Sequence, residues 1–206
     1  MEKKFIESNI VLLGNFKPTV FDKLFFIKNN LILEEDFSES SVFTPNFSKI
    51  ETSDLIIIIE SNKIVLVSRT NKSDLLKSIL LNIINESSTS LNIIGFNFKW
   101  FILLDEIPKY TKSKFFSPTN ESLNNHFNDD NTAYGYYISS DFKNSRMKLD
   151  IKPNIVKEIN NHKEQNILSF DFNFHIEIED NSIFNESLND YISYVNKAEQ
   201  IISEYE

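Results

Sequence analysis

The chain has no cysteine among its 206 residues, which excludes disulfides, thiolate metal sites and cysteine nucleophiles. Glycine is nearly as scarce, with only Gly14, Gly95 and Gly135. Isolated glycines cannot build a loop that cradles phosphate, and neither G-x-x-x-x-G-K-[ST] nor G-x-G-x-x-G occurs. A G-x-S-x-G elbow is also missing, so serine–histidine–acid catalysis has no anchor. No apolar run approaches the roughly 20 residues of a membrane span. The opening stretch Met1-Glu2-Lys3-Lys4-Phe5-Ile6-Glu7 has no signal-peptide apolar region. The expectation is a soluble, cytoplasmic protein with no membrane partner and no cofactor. The net charge of −9 repels phosphate backbones, so nucleic acid is disfavoured as a partner through bulk charge.

What is present is strong strand patterning. Phe170-Asp-Phe-Asn-Phe-His-Ile-Glu-Ile178 alternates apolar and polar residues without a break. A strand turns successive side chains to opposite faces, so this segment buries one face and wets the other. Strands of this kind belong to antiparallel sheets covered on one side. Leu91 to Leu104 is a second long strand, with Ile94, Phe96, Phe98, Trp100 and Ile102 on one face. Asn9 to Asn15 reads as a first strand. Leu55–Ile59 and Ile64–Val67 flank Ser61-Asn62 and read as a hairpin. Tyr134–Ser140 and Met147–Ile151 read as another strand pair joined by a turn, whereas Phe37–Ser48 is irregular or a weak edge interrupted by Pro45.

Helices punctuate these strands. Pro18-Thr19 opens one containing Phe21, Leu24, Phe25 and Lys28. Ser73-Asp74 supplies an N-cap for a stripe of Leu75, Leu76, Ile79, Leu80, Ile83 and Ile84. Ser117-Pro118-Thr119 starts a short helix through Leu123 and Phe127. A helical turn then loop fits Asn154–Glu164. A last helix from about Asn185 carries Leu188, Tyr191, Ile192, Val195, Ala198, Ile202 and Tyr205 on its buried stripe.

The fold class is therefore α+β: one domain over residues 1–206, a curved antiparallel sheet with helices packed on one face. The order strand–helix–strands–helix recurs in 1–88 and 89–206, which allows two pseudo-repeats. The order of elements is similar to that of TATA-box-binding-protein-like folds. Asymmetric packing of one undivided domain reads the same string equally well.

Several constellations could carry chemistry. His126 stands near Asp129 and Asp130, a trio suited to a transition metal, although a polar turn needs the same residues. The other histidines, His162 and His175, make no helical zinc spacing. Asp171, Asn173, His175 and Glu177 share the wet face of one strand, where a carboxylate beside an imidazole is the minimal acid–base pair, and where any exposed strand would also be polar. Asp150-Ile151-Lys152 places an acid and a lysine two apart on a strand, half of a metal-dependent nuclease arrangement, with Glu60 or Asp105 as the second acid. Lys109, Lys112 and Lys114 form a basic cluster in a segment that reads as a loop, alongside Tyr110, Phe115 and Phe116. Aromatics are enriched at interface centres, which makes Lys109–Pro118 the preferred contact segment. Tyr134, Tyr136 and Tyr137 extend that aromatic surplus.

Three strings, Gly14-Asn15-Phe16-Lys17-Pro18, Ile94-Gly95-Phe96-Asn97-Phe98, and Leu149-Asp150-Ile151 with the Phe170 strand after it, resemble a sporadically distributed group of uncharacterised bacterial proteins found among mobile and defence-associated genes. The resemblance implies a bacterial accessory protein in a defence or toxin–antitoxin setting and brings no catalytic residues. The expected function is a non-enzymatic protein-binding subunit or regulator, partnered by another protein or by self-association. The alternative is a metal-dependent hydrolase or nuclease using Asp150 and Lys152. A third reading is a small apolar ligand held between the sheet and the Asn185–Tyr205 helix.

Overall fold

In the computed structural model, which describes residues 2–70, 73–87, 90–127, 129–157 and 164–205, alternating burial along the strands builds a one-sided sheet. Nine antiparallel strands form one open sheet in the order β2-β3-β4-β5-β1-β6-β9-β8-β7. They are β1 (Lys3–Gly14), β2 (Val42–Thr44), β3 (Phe47–Glu51), β4 (Leu55–Glu60), β5 (Lys63–Ser68), β6 (Leu91–Leu104), β7 (Tyr136–Phe142), β8 (Ser145–Lys157) and β9 (Glu164–Glu177). From the central β1–β6 pair outward, each half lays its strands in reverse chain order, β5-β4-β3-β2 on one side and β9-β8-β7 on the other. Gly14, however, ends β1, whereas Gly95 lies inside β6 opposite Val11.

The described helices are α1 (Lys23–Lys28), α2 (Ser73–Ser87), α3 (Ile107–Phe115), α4 (Glu121–Asn124), α5 (Asn181–Asn189) and α6 (Tyr191–Ser203). A 3₁₀ turn at Pro18–Val20 precedes α1, so the expected single helix is two pieces. Asp22 caps α1 by accepting from Phe25 N at 2.8 Å. Asp180 caps α5, and Ser182 Oγ and the backbone N–H groups of Ile183 and Ser182 hold its carboxyl below the usual range. The final helix therefore starts before Asn185 and breaks at Asp190 into α5 and α6. The cap expected at Ser73-Asp74 falls on side chains outside the described set.

The core is a single aromatic and aliphatic cluster between one sheet face and α1, α2, α5 and α6. Its centre is the β6–β9 register, which places Phe96 opposite Phe174, Phe98 opposite Phe172 and Trp100 opposite Phe170. Tyr191 and Tyr194 of α6 reach that layer, with ring centroids 5.3 and 5.1 Å from Phe96. These rings occupy the space beneath the last helix that an apolar ligand would need. Ile192, expected on the buried stripe, is 47% exposed. It directly follows Tyr191, and a 100° step per residue takes it off the stripe.

Two expected loops are regular structure. Lys109–Pro118 is mostly α3, because Pro108 fits the first turn of a helix and Phe115 is packed against Tyr136 and Tyr205. The strand β8 runs on through Lys157, where a helical turn was expected, because Asn154, Ile155 and Val156 continue to pair with β9. Residues 158–163, including His162, lie outside the described set.

Tyr194 is fully buried and its hydroxyl donates to Asn144 Oδ1 at 2.5 Å, tying α6 to the β7–β8 turn. Burial raises its pKa from 10 to about 12, with Asp190 and Glu186 adding to the shift. The folded state therefore holds this proton more tightly than the unfolded chain does. That contribution is complete below pH 10 and is lost as pH climbs toward about 12. A denaturant midpoint series across this window should fall for the wild type and fall less steeply for Tyr194→Phe. Near neutral pH the same variant should cost about 1 kcal/mol for the lost hydrogen bond.

Ser8 Oγ and Tyr191 OH are buried close together in the core without a well-formed hydrogen bond. Removing both hydroxyls removes two desolvated groups rather than a strong interaction. Ser8→Ala with Tyr191→Phe should leave the urea midpoint unchanged or raise it; a large fall would show that the pair is bonded.

Candidate functional site: the helix-free sheet face

Every residue of a strand that does not face the helices faces the other side of the sheet. Among the described residues that side carries no helix, and its centre divides into two fields. In the β1–β5 half it is aliphatic: Val11, Leu13, Ile56, Ile58, Val65 and Val67 are half-buried, and direct pairing links Ile58, Val65 and Val11 in one row and Ile56 with Val67 in the next. In the β6–β7 half it is charged. One row reads Glu7, Lys99, Asp171, Asp150, Tyr137 across five strands.

An asparagine ladder crosses from one field into the other. Asn9, Asn97 and Asn173 are direct partners on β1, β6 and β9. Asn97 Nδ2 donates to Asn9 Oδ1 at 2.7 Å, and Asn173 Nδ2 donates to Asn97 Oδ1 at 2.6 Å. Each amide thus satisfies its neighbour along the sheet, and the row continues into Lys148 on β8. A shallow cleft of about 370 Å³ lies over this region, lined by the ladder together with Glu7, Lys99, Tyr137, Lys148, Asp150 and Asp171.

Charges in the cleft are mostly matched. Lys99 Nζ stands 3.4 Å from Asp171, and Lys152 Nζ stands 2.6 Å from Asp150. The Asp150 carboxylate holds the Lys152 ammonium above its usual value, with Asp171 contributing more weakly. Asp150 and Asp171 are direct cross-strand partners, an arrangement of like charges that is unfavourable unless each has its own cation. The two lysines supply them. Such exposed pairs organise the surface more than they stabilise the fold.

The expected site residues are now placed. Asp150 and Lys152 do meet, as an ion pair on this face. Their acidic neighbour is Asp171, not Glu60, which lies on β4 at the far side of the sheet, nor Asp105, which follows β6 and whose carbonyl accepts from Asn166. Of the wet-face residues on β9, Asp171 and Asn173 enter the cleft, whereas His175 sits between Gly95 and Arg146 and Glu177 opposite Ile93. His126, Asp129 and Asp130 are exposed, and among the described residues no group of three histidine or acidic side chains is placed to hold a metal ion.

The aromatic segment is largely turned onto the protein itself. Tyr110 OH donates to the Tyr205 carbonyl at 2.6 Å. Phe115 packs on Tyr136 and Tyr205 at 5.8 and 6.0 Å, and Phe116 on Tyr134 at 5.7 Å. Lys112 lies over Phe116 and Lys114 over Tyr110. Lys109 points outward and pairs with Glu106 at 3.6 Å. These residues fasten α3 and the C-terminus to the sheet edge.

The aliphatic field and the ladder were not foreseen, yet both had signals. Five consecutive apolar residues at Leu55–Ile59 cannot all face one side of a strand. Phe96-Asn97-Phe98 and Phe172-Asn173-Phe174 place the same polar residue at the same phase of two strands.

The middle rung both donates and accepts. Asn97→Ala should therefore lower stability by about 1–2 kcal/mol in urea titration, while Asn9→Ala, at the end of the ladder, should cost less. Equal costs would mean the amides act separately. No protein-family model matches this sequence, and no curated protein matches it either.

Proposed function

We propose that the chain is a non-enzymatic protein-binding module, an accessory subunit or regulator, and that the helix-free sheet face receives the partner. The observation that carries this reading is the aliphatic field on the β1–β5 half of a face that is charged on its other half. Helices shield the opposite side, yet six aliphatic side chains here remain partly accessible. An apolar field flanked by polar, ion-paired residues matches the make-up of a protein interface. The overall charge of −9 favours a protein over a nucleic acid as the occupant. The ion-paired state of Asp150 supports binding over hydrolysis, since a carboxylate engaged by Lys152 at 2.6 Å has to break that pair before it serves a metal or a water. The resemblance to proteins of mobile and defence-associated genes points to a bacterial regulatory or assembly setting.

Ile58 and Val65 are direct cross-strand partners, so Ile58→Glu with Val65→Lys replaces an apolar pair by an opposite-charge pair that the sheet tolerates. In affinity capture from a lysate of the native host, the wild type should retain a discrete protein. The double variant should retain at least about tenfold less, an effect of roughly 1.4 kcal/mol. Leu24→Lys, on the helical side, should retain it fully. Capture of nothing specific by the wild type would end the binding-module reading, and full capture by the double variant would move the contact off this face.

A further inference from the structure

The two edges of the sheet are built differently. At one end β2 has three residues and turns at Pro45, and Phe43 shares a cleft with the 3₁₀ turn residues Pro18 and Thr19. Short strands and proline are standard protection against pairing with another chain. At the other end β7 has seven residues, Tyr-Tyr-Ile-Ser-Ser-Asp-Phe, with no proline, no lysine and no bulge in its pairing to β8. Among the described residues no strand lies outside it. Tyr136, Tyr137 and Ile138 are 50%, 62% and 38% exposed. Beyond β7 the edge continues along β8, and there Pro153 interrupts it. The stretch without protection is β7 alone.

The sequence of β7 is complementary to itself. An antiparallel pair of β7 strands related by a two-fold axis at Ser139 sets Tyr136 against the partner's Phe142, Tyr137 against the partner's Asp141 and Ile138 against the partner's Ser140. The sheet period is preserved: Tyr137, Ser139 and Asp141 all belong to the helix-free face, and Tyr136, Ile138, Ser140 and Phe142 to the helical one. The outer pairs are aromatic on aromatic and phenol on carboxylate, both favourable across strands. Such an axis stands perpendicular to the sheet and keeps the helix-free faces of both copies on one side. A two-fold contact of this kind closes on itself and does not propagate into fibres.

We propose that β7 pairs antiparallel with β7 of a second copy of this chain, centred on Ser139, to give one continuous eighteen-strand sheet, twice the nine strands of one copy. Ser139 Oγ accepts from Arg146 Nε at 2.7 Å and Ser139 is the direct partner of Lys148. Ser139→Asp therefore has Arg146 and Lys148 beside it within its own chain, while across the axis it meets the same added charge with the partner's Asp141 next to it. The variant leaves the monomer sound and weakens the dimer.

Sedimentation velocity over a wide concentration range should show wild-type mass rising from one chain toward two, and Ser139→Asp should shift that transition to about tenfold higher concentration. Because the chain has no cysteine, Ser139→Cys introduces a single thiol that meets itself at strand-pair distance, within disulfide reach. Mild oxidation should convert it to a covalent dimer much faster than Glu121→Cys, an exposed control on α4. A wild type that stays at single-chain mass throughout, an unaltered transition in Ser139→Asp, or equal cross-linking of the two thiols would each overturn the proposal.

Discussion

One constraint organises this molecule: the facing aromatic rows of β6 and β9 must be kept dry. Phe96, Phe98 and Trp100 stand directly against Phe174, Phe172 and Phe170, and all six are almost completely buried. Large rings contribute most of a core's buried area, so whatever covers these rows determines the architecture. Tyr191 and Tyr194 of α6 provide the cover, and the Tyr194 hydroxyl then reaches Asn144 and pins the β7–β8 turn. The edge strand, the final helix and the centre of the sheet are thereby coupled through one layer of rings.

The other face follows from the same constraint. Once the rings claim one side, the alternate residues of each strand are committed to the other. In β9 those alternates are Asp171, Asn173 and His175, and in β4 and β5 they are Ile56, Ile58, Val65 and Val67. The helix-free face thus inherits two different chemistries from two halves of the chain, and the asparagine ladder runs from one into the other. A surface with an apolar region, a hydrogen-bonded seam and a charged region discriminates between partners better than a uniform one, because a wrong partner leaves charges or amides unpaired.

Much of this could be read from the chain. The alternation at Phe170–Ile178, the facing stripe at Ile94–Ile102 and the hairpin around Ser61-Asn62 all stand as expected, because period-two burial is written residue by residue. The site was legible only in fragments. Asp150 and Lys152 were visible as neighbours, but their acidic companion Asp171 lies on another strand. Lys109–Pro118 looked like a loop because its aromatic and basic residues have no clear periodicity, whereas α3 is held by contacts to Tyr136 and Tyr205 far along the chain.

The sequence by itself determined the class of the protein, the phase of each long strand and the one-sided core, since these depend on side-chain alternation within a segment. It also settled that no cysteine side chain takes part in the fold. Only the tertiary structure decided which residues share a row. Register is set by the pairing of segments far apart in the chain, as between Asn9 and Asn97, 88 residues apart. A slip of one residue would exchange the faces and a slip of two would dissolve the ladder. The ladder, the Asp150–Asp171 contact and the bare edge of β7 are products of that register, and no local pattern encodes them.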